Sequence, residues 1–285
     1  MGGNPLVSII IPTYNSAGTL RRTLDSIAGQ TYDNIEVIVV DKGSSDSTVE
    51  IAESFGVRVL LVRVRERSEQ KNLGAREARG DYLYFVDSDF ILEPRVVEEA
   101  VSKCELEGYD AVLIHNTSDP TISFWARVRK FERDFYIGDR VNVAVRFMRR
   151  EVFFSVGGFD ESLVAGEDYD LHNRIVEAGY RIGEILSREV HIGEPRTLLD
   201  VAKKHFYYGR TIGRFIAKNG RRGVAQISPV RPSYLRNWRR FLEDPVITIG
   251  FVVYQTVRYS SAAAGLLAGS IEAGARRLRR ANANR

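Results

Sequence analysis

The sequence predicts an α/β protein with a mostly parallel sheet flanked by helices, followed by a helical, basic C-terminal extension. Three observations favour this fold class. Apolar runs alternate with stretches of helical periodicity in the N-terminal part, which is typical of a parallel sheet covered on both faces. Polar residues follow each apolar run directly, as they do where parallel strands end at a binding edge. Acidic residues dominate residues 1–200, whereas basic residues dominate residues 201–285.

Four apolar runs predict buried strands, and helical periodicity predicts a helix after each of the first three. The predicted strands cover residues 7–11, 35–40, 57–62 and 82–86. The first predicted helix covers residues 17–28, with Asn15 or Ser16 as its cap. The second begins at the capping box formed by Ser47 and Glu50, and the third runs from Ser68 to Arg79.

The composition excludes several classes of protein. With 44% hydrophobic and 27% charged residues it is that of an ordinary globular protein, not of a collagen-like or disordered chain. Cys104 is the only cysteine, which excludes an internal disulfide framework and any site built from clustered thiolates. Residues 1–8 lack a basic region followed by a long apolar core, so no secretory signal is expected. A cytoplasmic location is therefore predicted.

The residues that follow each strand are the candidate binding residues, because ligands of parallel sheets bind at the carboxyl ends of the strands. Residues 12–15, 41–46 and 87–89 are such segments. Neither a Gly-x-Gly-x-x-Gly fingerprint nor a P-loop is present, so the phosphates of a bound nucleotide need another source of positive charge. Asp87 and Asp89 follow an apolar strand and could share a hard divalent cation that supplies this charge.

Several segments resemble the family 2 nucleotide-sugar glycosyltransferases of the GT-A fold. The N-terminal segments are residues 7–15, 39–48, 71–75, 78–82 and 85–89. Residues 157–161 and 166–171 resemble the acceptor-side loop and the catalytic acidic pair of the same family. The resemblance covers roughly residues 5–195, with the motifs in the order of the family. It implies the GT-A form of the α/β fold.

The resemblance also implies three groups of site residues. Asp168 would be the general base that takes the proton of an acceptor hydroxyl, and Glu167 would orient the acceptor or tune that base. Asp87, Asp89 and His191 would hold Mn²⁺ or Mg²⁺, although a purely structural histidine is the alternative for His191. The nucleotide sugar would contact Pro12, Thr13, Tyr14, Asn15, Asp41, Lys71, Asp87 and Ser88.

Two positions leave alternatives open. Lys42 stands where many members of the family have a second acid, so the choice between a UDP and a GDP sugar is not decided. Lys71 could reach the base or the diphosphate of the nucleotide, or it could be a solvated helix residue.

The function implied is that of a metal-dependent, inverting glycosyltransferase. It would move a sugar from a nucleoside diphosphate sugar to an acceptor hydroxyl on a lipid-linked or membrane-proximal glycan. One alternative is a polyprenyl-phosphate sugar synthase, whose acceptor is a phosphate. Another is a catalytically silent sugar-nucleotide-binding protein. A sugar-nucleotide pyrophosphorylase is disfavoured, because residues 12–15 replace its glycine- and arginine-rich opening loop.

The sequence predicts a domain boundary near residue 195. Residues 1–195 would form the glycosyltransferase domain, with a nucleotide-binding half at about 1–90 and an acceptor half at about 91–195. Residues 196–285 would form the extension. Residues 1–200 contain 24 Lys and Arg against 34 Asp and Glu, a net charge of −10. Residues 201–285 contain 17 against 3, a net charge of +14, which indicates an anionic partner.

The extension is expected to lie on the cytoplasmic face of a membrane as a peripheral element. Residues 198–222 predict a basic, aromatic, amphipathic helix, for which a packing helix with a solvated basic face is the alternative. Residues 245–271 are apolar but contain Arg258, so two shorter surface helices are expected rather than one spanning helix. A polybasic patch follows at Arg276, Arg277, Arg279 and Arg280. Nucleic acid is disfavoured as the partner because no nucleic-acid motif accompanies the charge, and a homo-oligomer is compatible with the sequence.

Overall fold

A computed structural model describes residues 4–139 and 141–283, with the backbone alone for residues 273 and 275–283. The chain groups into two compact units. The first, called the sheet unit below, comprises Met1–Asp119, Tyr136–Glu161 and Glu167–Glu194. The second, called the helical unit, comprises Pro120–Phe135, Ser162–Gly166 and Pro195–Arg285. Residues 120–135 and 162–166 were expected in the acceptor half, whereas the structure groups them with the C-terminal residues.

All ten strands of the described chain lie in the sheet unit. They are β1 (Val7–Thr13), β2 (Ile35–Asp41), β3 (Arg58–Leu61), β4 (Tyr82–Phe85), β5 (Phe90–Leu92), β6 (Ala111–Leu113), β7 (Asn116–Ser118), β8 (Phe147–Arg149), β9 (Ile182–Glu184) and β10 (Glu189–His191). The predicted strands thus form within about two residues of their expected bounds.

The helices alternate with these strands and then continue alone. They are α1 (Ala17–Ala28), α2 (Thr48–Ser54), α3 (Arg67–Glu77), α4 (Val96–Glu107), α5 (Phe124–Arg133), α6 (Arg150–Ser155), α7 (Glu167–Glu177), α8 (Leu198–Ile227), α9 (Pro232–Arg236) and α10 (Pro245–Ala283). Two 3₁₀ turns occur at Asp134–Tyr136 and Trp238–Leu242.

The main sheet has seven strands in the order β3-β2-β1-β4-β8-β6-β9. Strands β1, β2, β3 and β4 are parallel, and β8 runs antiparallel to both β4 and β6. A small second sheet has the order β5-β10-β7. The prediction of an α/β fold with a mostly parallel sheet and flanking helices is confirmed.

The core of the sheet unit covers both faces of the main sheet. One apolar cluster includes Ile9 and Ile11 of β1 with Leu20 and Leu24 of α1. The other includes Ile10 of β1 on the opposite face. Alternate residues of one strand therefore enter two different cores, which explains why β1 is a continuous apolar run.

The predicted capping hydrogen bonds of Ser16 and Ser47 do not form, and the carboxylate of Asp46 accepts hydrogen bonds at both helix starts instead. Ser16 and Ser47 occupy the N-cap positions of α1 and α2, but in the described structure neither makes a side-chain capping hydrogen bond. Asp46 instead accepts hydrogen bonds from the backbone N–H groups of Ala17, at 3.1 Å, and Thr48, at 3.2 Å. One carboxylate thus accepts a hydrogen bond from the first backbone N–H group of each of two helices. The third helix begins at Arg67, one residue before the predicted cap Ser68.

In the helical unit, α8 and α10 pack against each other through glycines. A side chain at Gly209 of α8 would collide with the backbone of Ala262, and one at Gly265 of α10 would collide with the backbone of Phe206. This close approach supports the alternative that α8 is a packing helix. Gly220, at φ 52°, interrupts the helical backbone near the end of α8.

The prediction of two short helices within residues 245–271 is wrong. A single helix, α10, covers the segment, because Arg258 is a good helix former and the segment contains no proline after Pro245. Nη1 of Arg258 lies 2.8 Å from Oε1 of Glu132, a fully buried residue of α5 in the same unit. None of the helices in the described part of the chain is both long and apolar enough to cross a membrane. The side chains of the polybasic patch lie outside the described residues.

Candidate functional site

Hydrogen bonds join the loops that follow β1, β2 and β4, so the three predicted strand ends meet at one edge of the sheet. The hydroxyl of Thr13 donates to Asp41 at 2.8 Å, and Ser88 Oγ donates to Ser16 Oγ at 2.9 Å. The side chain of Asn15, which has φ 49°, accepts a hydrogen bond from the backbone N–H of Ser45 at 2.8 Å. Pairing in the parallel sheet brings these loops together.

The carboxylate of Asp41 is fully buried and accepts four hydrogen bonds from the protein. The backbone N–H groups of Gly43 and Ser44 bind Oδ1, and the hydroxyls of Thr13 and Ser44 bind Oδ2. Four donors fill the usual acceptor capacity of a carboxylate. Asp41 therefore holds the loop after β2 in place, and its predicted contact with a nucleoside stays a prediction.

The other predicted nucleotide residues of the first loop differ in exposure. Pro12 and Thr13 are buried as part of β1, whereas Asn15 is exposed and Tyr14 has 55% of its surface accessible. The Lys42 ammonium lies 4.8 Å from the centre of the Tyr14 ring, a cation–π distance. Tyr14 and Lys42 thus form an accessible pair beside the loop that Asp41 holds.

Helix α3 supplies two cations to the site from one helical face. Lys71 Nζ lies 3.0 Å from Asp168 Oδ1 and 3.6 Å from Asp87 Oδ1. Arg67, one turn earlier, lies 2.8 Å from Glu167 Oε1 and 3.7 Å from Asp87 Oδ2. The helix approaches β1 closely at Gly74, where a side chain would collide with Ile10. The alternative that Lys71 is a solvated helix residue is wrong, since its side chain is 3% exposed.

The loop of the predicted acceptor side is tied to the same helix. Asn72 donates from Nδ2 to the carbonyl of Phe159 and accepts at Oδ1 from the Phe159 N–H, both at 2.9 Å. It also donates to Glu161 at 2.9 Å. Asn72 therefore positions residues 157–161 beside Lys71.

Asp87 is surrounded by positive charge without being saturated by hydrogen bonds. Arg146 Nη2 lies 3.6 Å from its Oδ2, which adds a third cation to Lys71 and Arg67. Its Oδ1 is buried and accepts no hydrogen bond from any described residue. Burial alone would raise the pKa of Asp87, but Lys71, Arg67 and Arg146 outweigh it and hold the pKa well below its usual range.

The two neighbouring acids at the start of α7 have opposite environments. Burial, and then the charge of Asp168, raise the pKa of Glu167. Burial also acts on Asp168, but Lys71, Arg146 and Arg67 overcome it and lower the pKa of Asp168. Paired carboxyl groups with separated pKa values are typical of acid and base sites. Asp168 is the member that stays ionised and able to accept a proton.

Asp89 and His191 face each other where β10 ends. Asp89 Oδ2 lies 3.1 Å from Nε2 of His191, whose Nδ1 lies 2.9 Å from Oε1 of Glu194. A side chain at Gly193 would collide with the Asp89 carboxylate, so glycine leaves the space that this carboxylate occupies.

These residues fit a divalent cation in their chemistry, because carboxylate oxygen and imidazole nitrogen are ligands that Mn²⁺ accepts. A carboxylate that accepts a hydrogen bond from the second ring nitrogen is the usual support of a metal-binding histidine, but Nδ1 of His191 makes no hydrogen bond with any described residue, although Glu194 lies 2.9 Å away. The unsatisfied Oδ1 of Asp87 also fits a ligand that is not a protein group. Within the residues whose side chains are described, however, no three His, Cys, Asp or Glu side chains are already grouped to share an ion.

Sequence reasoning missed Arg67, Arg146 and Glu189. Arg67 lies four residues before Lys71, so the helical spacing of two basic residues was an available signal. Arg146 precedes β8 outside any motif, and its guanidinium lies 3.4 Å from Glu189, which the Tyr84 hydroxyl holds at 2.6 Å. Only the antiparallel pairing of β8 with β4 brings Arg146 to the site.

Comparison with known sequences gives consistent results. The sequence model of the family described as Glycosyl transferase family 2 matches residues 8–155. The glycosyltransferase AglE of Haloferax volcanii is 28% identical over an alignment of 221 residues, which covers 67% of this chain and 72% of AglE. The glycosyltransferase GlyG of Streptococcus pneumoniae is 27% identical over 237 residues, with 70% of this chain and 79% of GlyG covered.

Solved structures with similar folds include two nucleotide-sugar complexes. The mannosyltransferase PcManGT from Pyrobaculum calidifontis, in complex with GDP-Man and Mn²⁺, has a TM-score of 0.57 at 20% identity, with 99% of this chain and 82% of PcManGT covered. Residues 1–349 of TarS from S. aureus, in complex with UDP-GlcNAc, give 0.55 at 17% identity, with 90% and 91% covered. These similarities show a shared fold.

Proposed function

Since this chain belongs to glycosyl transferase family 2 and is a glycosyltransferase, we propose that it transfers a sugar from a nucleoside diphosphate sugar to an acceptor hydroxyl with inversion. Known complexes with UDP-GlcNAc and GDP-Man on the same fold support a nucleoside diphosphate sugar as the donor. The proposed reaction is a single displacement, which needs charge stabilisation on the leaving diphosphate and a base on the acceptor.

One observation carries the proposal: Lys71 bridges the two predicted halves of the site. Its ammonium lies 3.6 Å from Asp87, on the proposed donor side, and 3.0 Å from Asp168, the proposed base. The two acids are 81 positions apart in the sequence and come from different motifs. Transfer of a sugar requires the group that stabilises the leaving diphosphate and the base that deprotonates the acceptor to lie within a few ångströms of the same sugar.

The leaving diphosphate would be bound on the side of Asp87. Asp89 and His191, with Asp87, would hold Mn²⁺ or Mg²⁺, which when bound supplies positive charge to the diphosphate. Arg67, Lys71 and Arg146 add fixed positive charge around the same carboxylate. Tyr14, Lys42 and Ser88 would contact the nucleotide at the ends of β1, β2 and β4.

The acceptor hydroxyl would lose its proton to Asp168. Lys71, Arg146 and Arg67 outweigh the effect of burial on the pKa of Asp168, so the carboxylate is ionised near neutral pH and can accept a proton. Its ion pair with Lys71 fixes the carboxylate while the hydroxyl approaches. Glu167, held by Arg67 at 2.8 Å, would position the acceptor beside it.

A phosphate acceptor is the second candidate, and a specific observation favours it. Lys71, Arg146 and Arg67 all contribute positive charge at Asp168, and the Arg67 side chain is 39% exposed. The partly exposed guanidinium of Arg67 would bind an anionic acceptor, which would need no base because it is already ionised.

Replacement of Asp168 by Asn distinguishes the two acceptors. Asn keeps the shape of the side chain but cannot accept the proton, so transfer to a hydroxyl should fall by roughly two to four orders of magnitude. Binding of the donor, measured by calorimetry with Mn²⁺, should be retained. Glu151→Gln, which neutralises an exposed acid of α6 instead, is the matched control and should leave transfer unchanged.

The other outcomes are equally informative. Transfer at the wild-type rate by Asp168→Asn would favour a phosphate acceptor or a base elsewhere. A wild-type protein that binds donors but neither transfers nor hydrolyses them would support a silent binding protein. Absence of binding to any UDP or GDP sugar would contradict the proposed function itself.

The acceptor is proposed to be lipid-linked, with the enzyme peripheral on the cytoplasmic face of a membrane. The net charge of +14 on residues 201–285 supports this part of the proposal, since anionic lipid headgroups attract Lys and Arg.

A further inference from the structure

An apolar stripe runs along the outer side of α10. Its large members are 38–73% exposed: Val246, Ile249, Val252, Val253, Leu267 and Ile271. At 100° per residue they fall within an arc of about 120°, and at 1.5 Å per residue they extend over about 38 Å. They form two groups, at residues 246–253 and 267–271, and the small exposed residues Thr256, Ser260, Ala263 and Ala264 lie between the groups. Apart from Arg258, which pairs with Glu132, residues 245–271 contain no charged side chain. So long an uncharged and exposed helix face marks an interaction surface.

The opposite face of α10 is already occupied by its own unit. Ile247, Phe251 and Tyr254 are buried, and the Phe251 ring lies 6.0 Å from that of Phe131 in α5. Gly265 and Gly269 lie against the backbone of α8. These contacts fix the rotation of α10 about its own axis, so that the apolar stripe faces solvent.

Groups suited to a lipid headgroup region precede the stripe. Trp238 and Leu242 are 54% and 68% exposed, and Arg236 at the end of α9 and Arg239 in the 3₁₀ turn are exposed as well. An indole with neighbouring guanidinium groups is typical of the boundary between water and acyl chains. Residues 201–272 contain twelve Lys and Arg against three acids. One of those acids, Glu272, is paired with Arg210 at 2.7 Å.

A second copy of this chain is a poorer occupant than lipid. The sequence is basic before the stripe, at Arg236 and Arg239, and basic after it, at residues 276–280. A two-fold pairing of α10 with itself would bring basic ends together whether the helices ran parallel or antiparallel. Like charges at both ends oppose such a dimer, whereas an anionic surface complements them.

We propose that the outer face of α10 is the surface that contacts an anionic membrane, with the stripe inserted among the acyl chains and Trp238 at the headgroup level. The inference deepens the proposed peripheral location and rests on it. Helix α10 would then lie parallel to the bilayer plane, as interfacial helices do, with its packed face away from the lipid.

The test compares the full-length protein with a variant that makes the stripe polar, Ile249→Gln with Leu267→Gln. The matched control places the same change on two exposed leucines of the sheet unit, Leu106→Gln with Leu186→Gln, at positions 80% and 90% exposed. Each is sedimented with vesicles of equal parts phosphatidylcholine and phosphatidylglycerol, at low and high salt. We expect partitioning of the stripe variant to be weaker by about tenfold or more, because it loses apolar burial. The control should bind like the wild type.

Salt and lipid charge separate the two contributions. Wild-type binding should weaken as salt rises and should be weaker on pure phosphatidylcholine, since the basic residues act electrostatically. Binding by the stripe variant equal to that of the wild type would overturn the proposal. So would a wild-type dimer in solution that the stripe substitutions dissociate, in the absence of vesicle binding.

Controls for folding and for donor binding accompany the vesicle measurements. Thermal unfolding verifies that the variants are folded, and a second pair at the ends of the stripe, Val246→Gln with Ile271→Gln, should repeat the loss. Donor binding is measured on the same proteins without vesicles. Failure of donor binding in the wild type would contradict the proposed glycosyl transfer, whereas a wild type that binds the donor but not the vesicles would contradict only the membrane surface.

Discussion

Asp87 in the sheet unit and Glu132 in the helical unit are carboxylates that several cations surround, yet they are held in different ways. Glu132 is 1% exposed, lies 2.8 Å from Arg258, accepts a hydrogen bond from the Tyr234 hydroxyl at 3.2 Å and pairs with Arg129. Asp87 meets its three cations only at 3.6–3.7 Å, and its Oδ1 accepts no hydrogen bond from a described residue.

This difference separates a structural ion cluster from a candidate ligand site. A buried charge whose contacts are complete within the protein has no capacity left for a ligand. A carboxylate held loosely by cations, each of which also has another acid, can exchange contacts with a bound anion or cation. Positive charge around an acid is therefore not enough to identify a ligand-binding site. Whether the hydrogen bonds of the carboxylate are already complete within the protein distinguishes a structural acid from one that can bind a ligand.

The largest expected effect is the loss of stability on Glu132→Ala. The substitution leaves Arg258 and Arg129, whose side chains are only 20% and 16% exposed, without their carboxylate, which should cost about 3–5 kcal/mol of the free energy of unfolding. Urea denaturation followed by circular dichroism measures it. Glu132→Gln keeps hydrogen-bond acceptors in place and should lose less. A loss below about 1 kcal/mol for Ala would contradict the view of a tight structural cluster.

The second effect is functional. Asp87→Asn should lower transfer by roughly two to three orders of magnitude, the usual loss when one electrostatic contact to a transition state is removed. The free energy of unfolding should fall less than in Glu132→Ala, because each cation beside Asp87 retains an ion pair with another acid. These pairs are Lys71 with Asp168, Arg67 with Glu167 and Arg146 with Glu189. Steady-state transfer and urea denaturation together test this.

Two companion variants sharpen the result for Asp87. Asp41→Asn retains an acceptor for the N–H groups of Gly43 and Ser44, so transfer should change by less than about tenfold. A folded Asp41→Asn protein that cannot bind the donor would show that Asp41 contacts the nucleoside. In Asp89→Ala, added Mn²⁺ should no longer improve donor affinity. Unchanged metal dependence there would remove Asp89 from the proposed metal site.

The smallest effect concerns pH and the helical unit. Burial, and then Arg258, Arg129 and Lys204, lower the pKa of His205 to about 2, although Glu132 acts in the opposite direction. The unfolded chain has the ordinary pKa of about 6.5, so it binds a proton first as the pH falls. The contribution of neutral His205 to stability is therefore complete above about pH 6.5 and is lost below it, by about 1.4 kcal/mol at about pH 5.5.

The variant His205→Gln isolates this contribution. Its free energy of unfolding should depend less on pH between about 6.5 and 5.5 than that of the wild type. Parallel curves for the two proteins would show that folding does not lower the pKa of His205.

Much of the sheet unit could be predicted from local sequence. Continuous apolar runs such as that of β1 are typical of a parallel sheet that helices cover on both faces. The strands and the polar loops after them could therefore be predicted from the sequence. The spacing of Asp87 and Asp89 and the pair Glu167 and Asp168 pointed to an acidic site. The contact of Asp46 with Ala17 depends on tertiary structure, because the two residues are 29 positions apart. Its contact with Thr48, two positions on, was a local capping signal that was missed.

The sequence by itself determined the fold class, the binding edge and the uneven distribution of charge, because these follow from periodicity and composition along the chain. Only the tertiary structure decided which charges meet. Arg146 reaches Asp87 through strand pairing, and Arg258 is neutralised by Glu132 from a helix more than a hundred positions away. Electrostatic interactions depend on distance in space, so no local pattern could show which acid neutralises Arg258. The face of α10 that its own unit covers was likewise decided by the packing of α8 against Gly265 and Gly269.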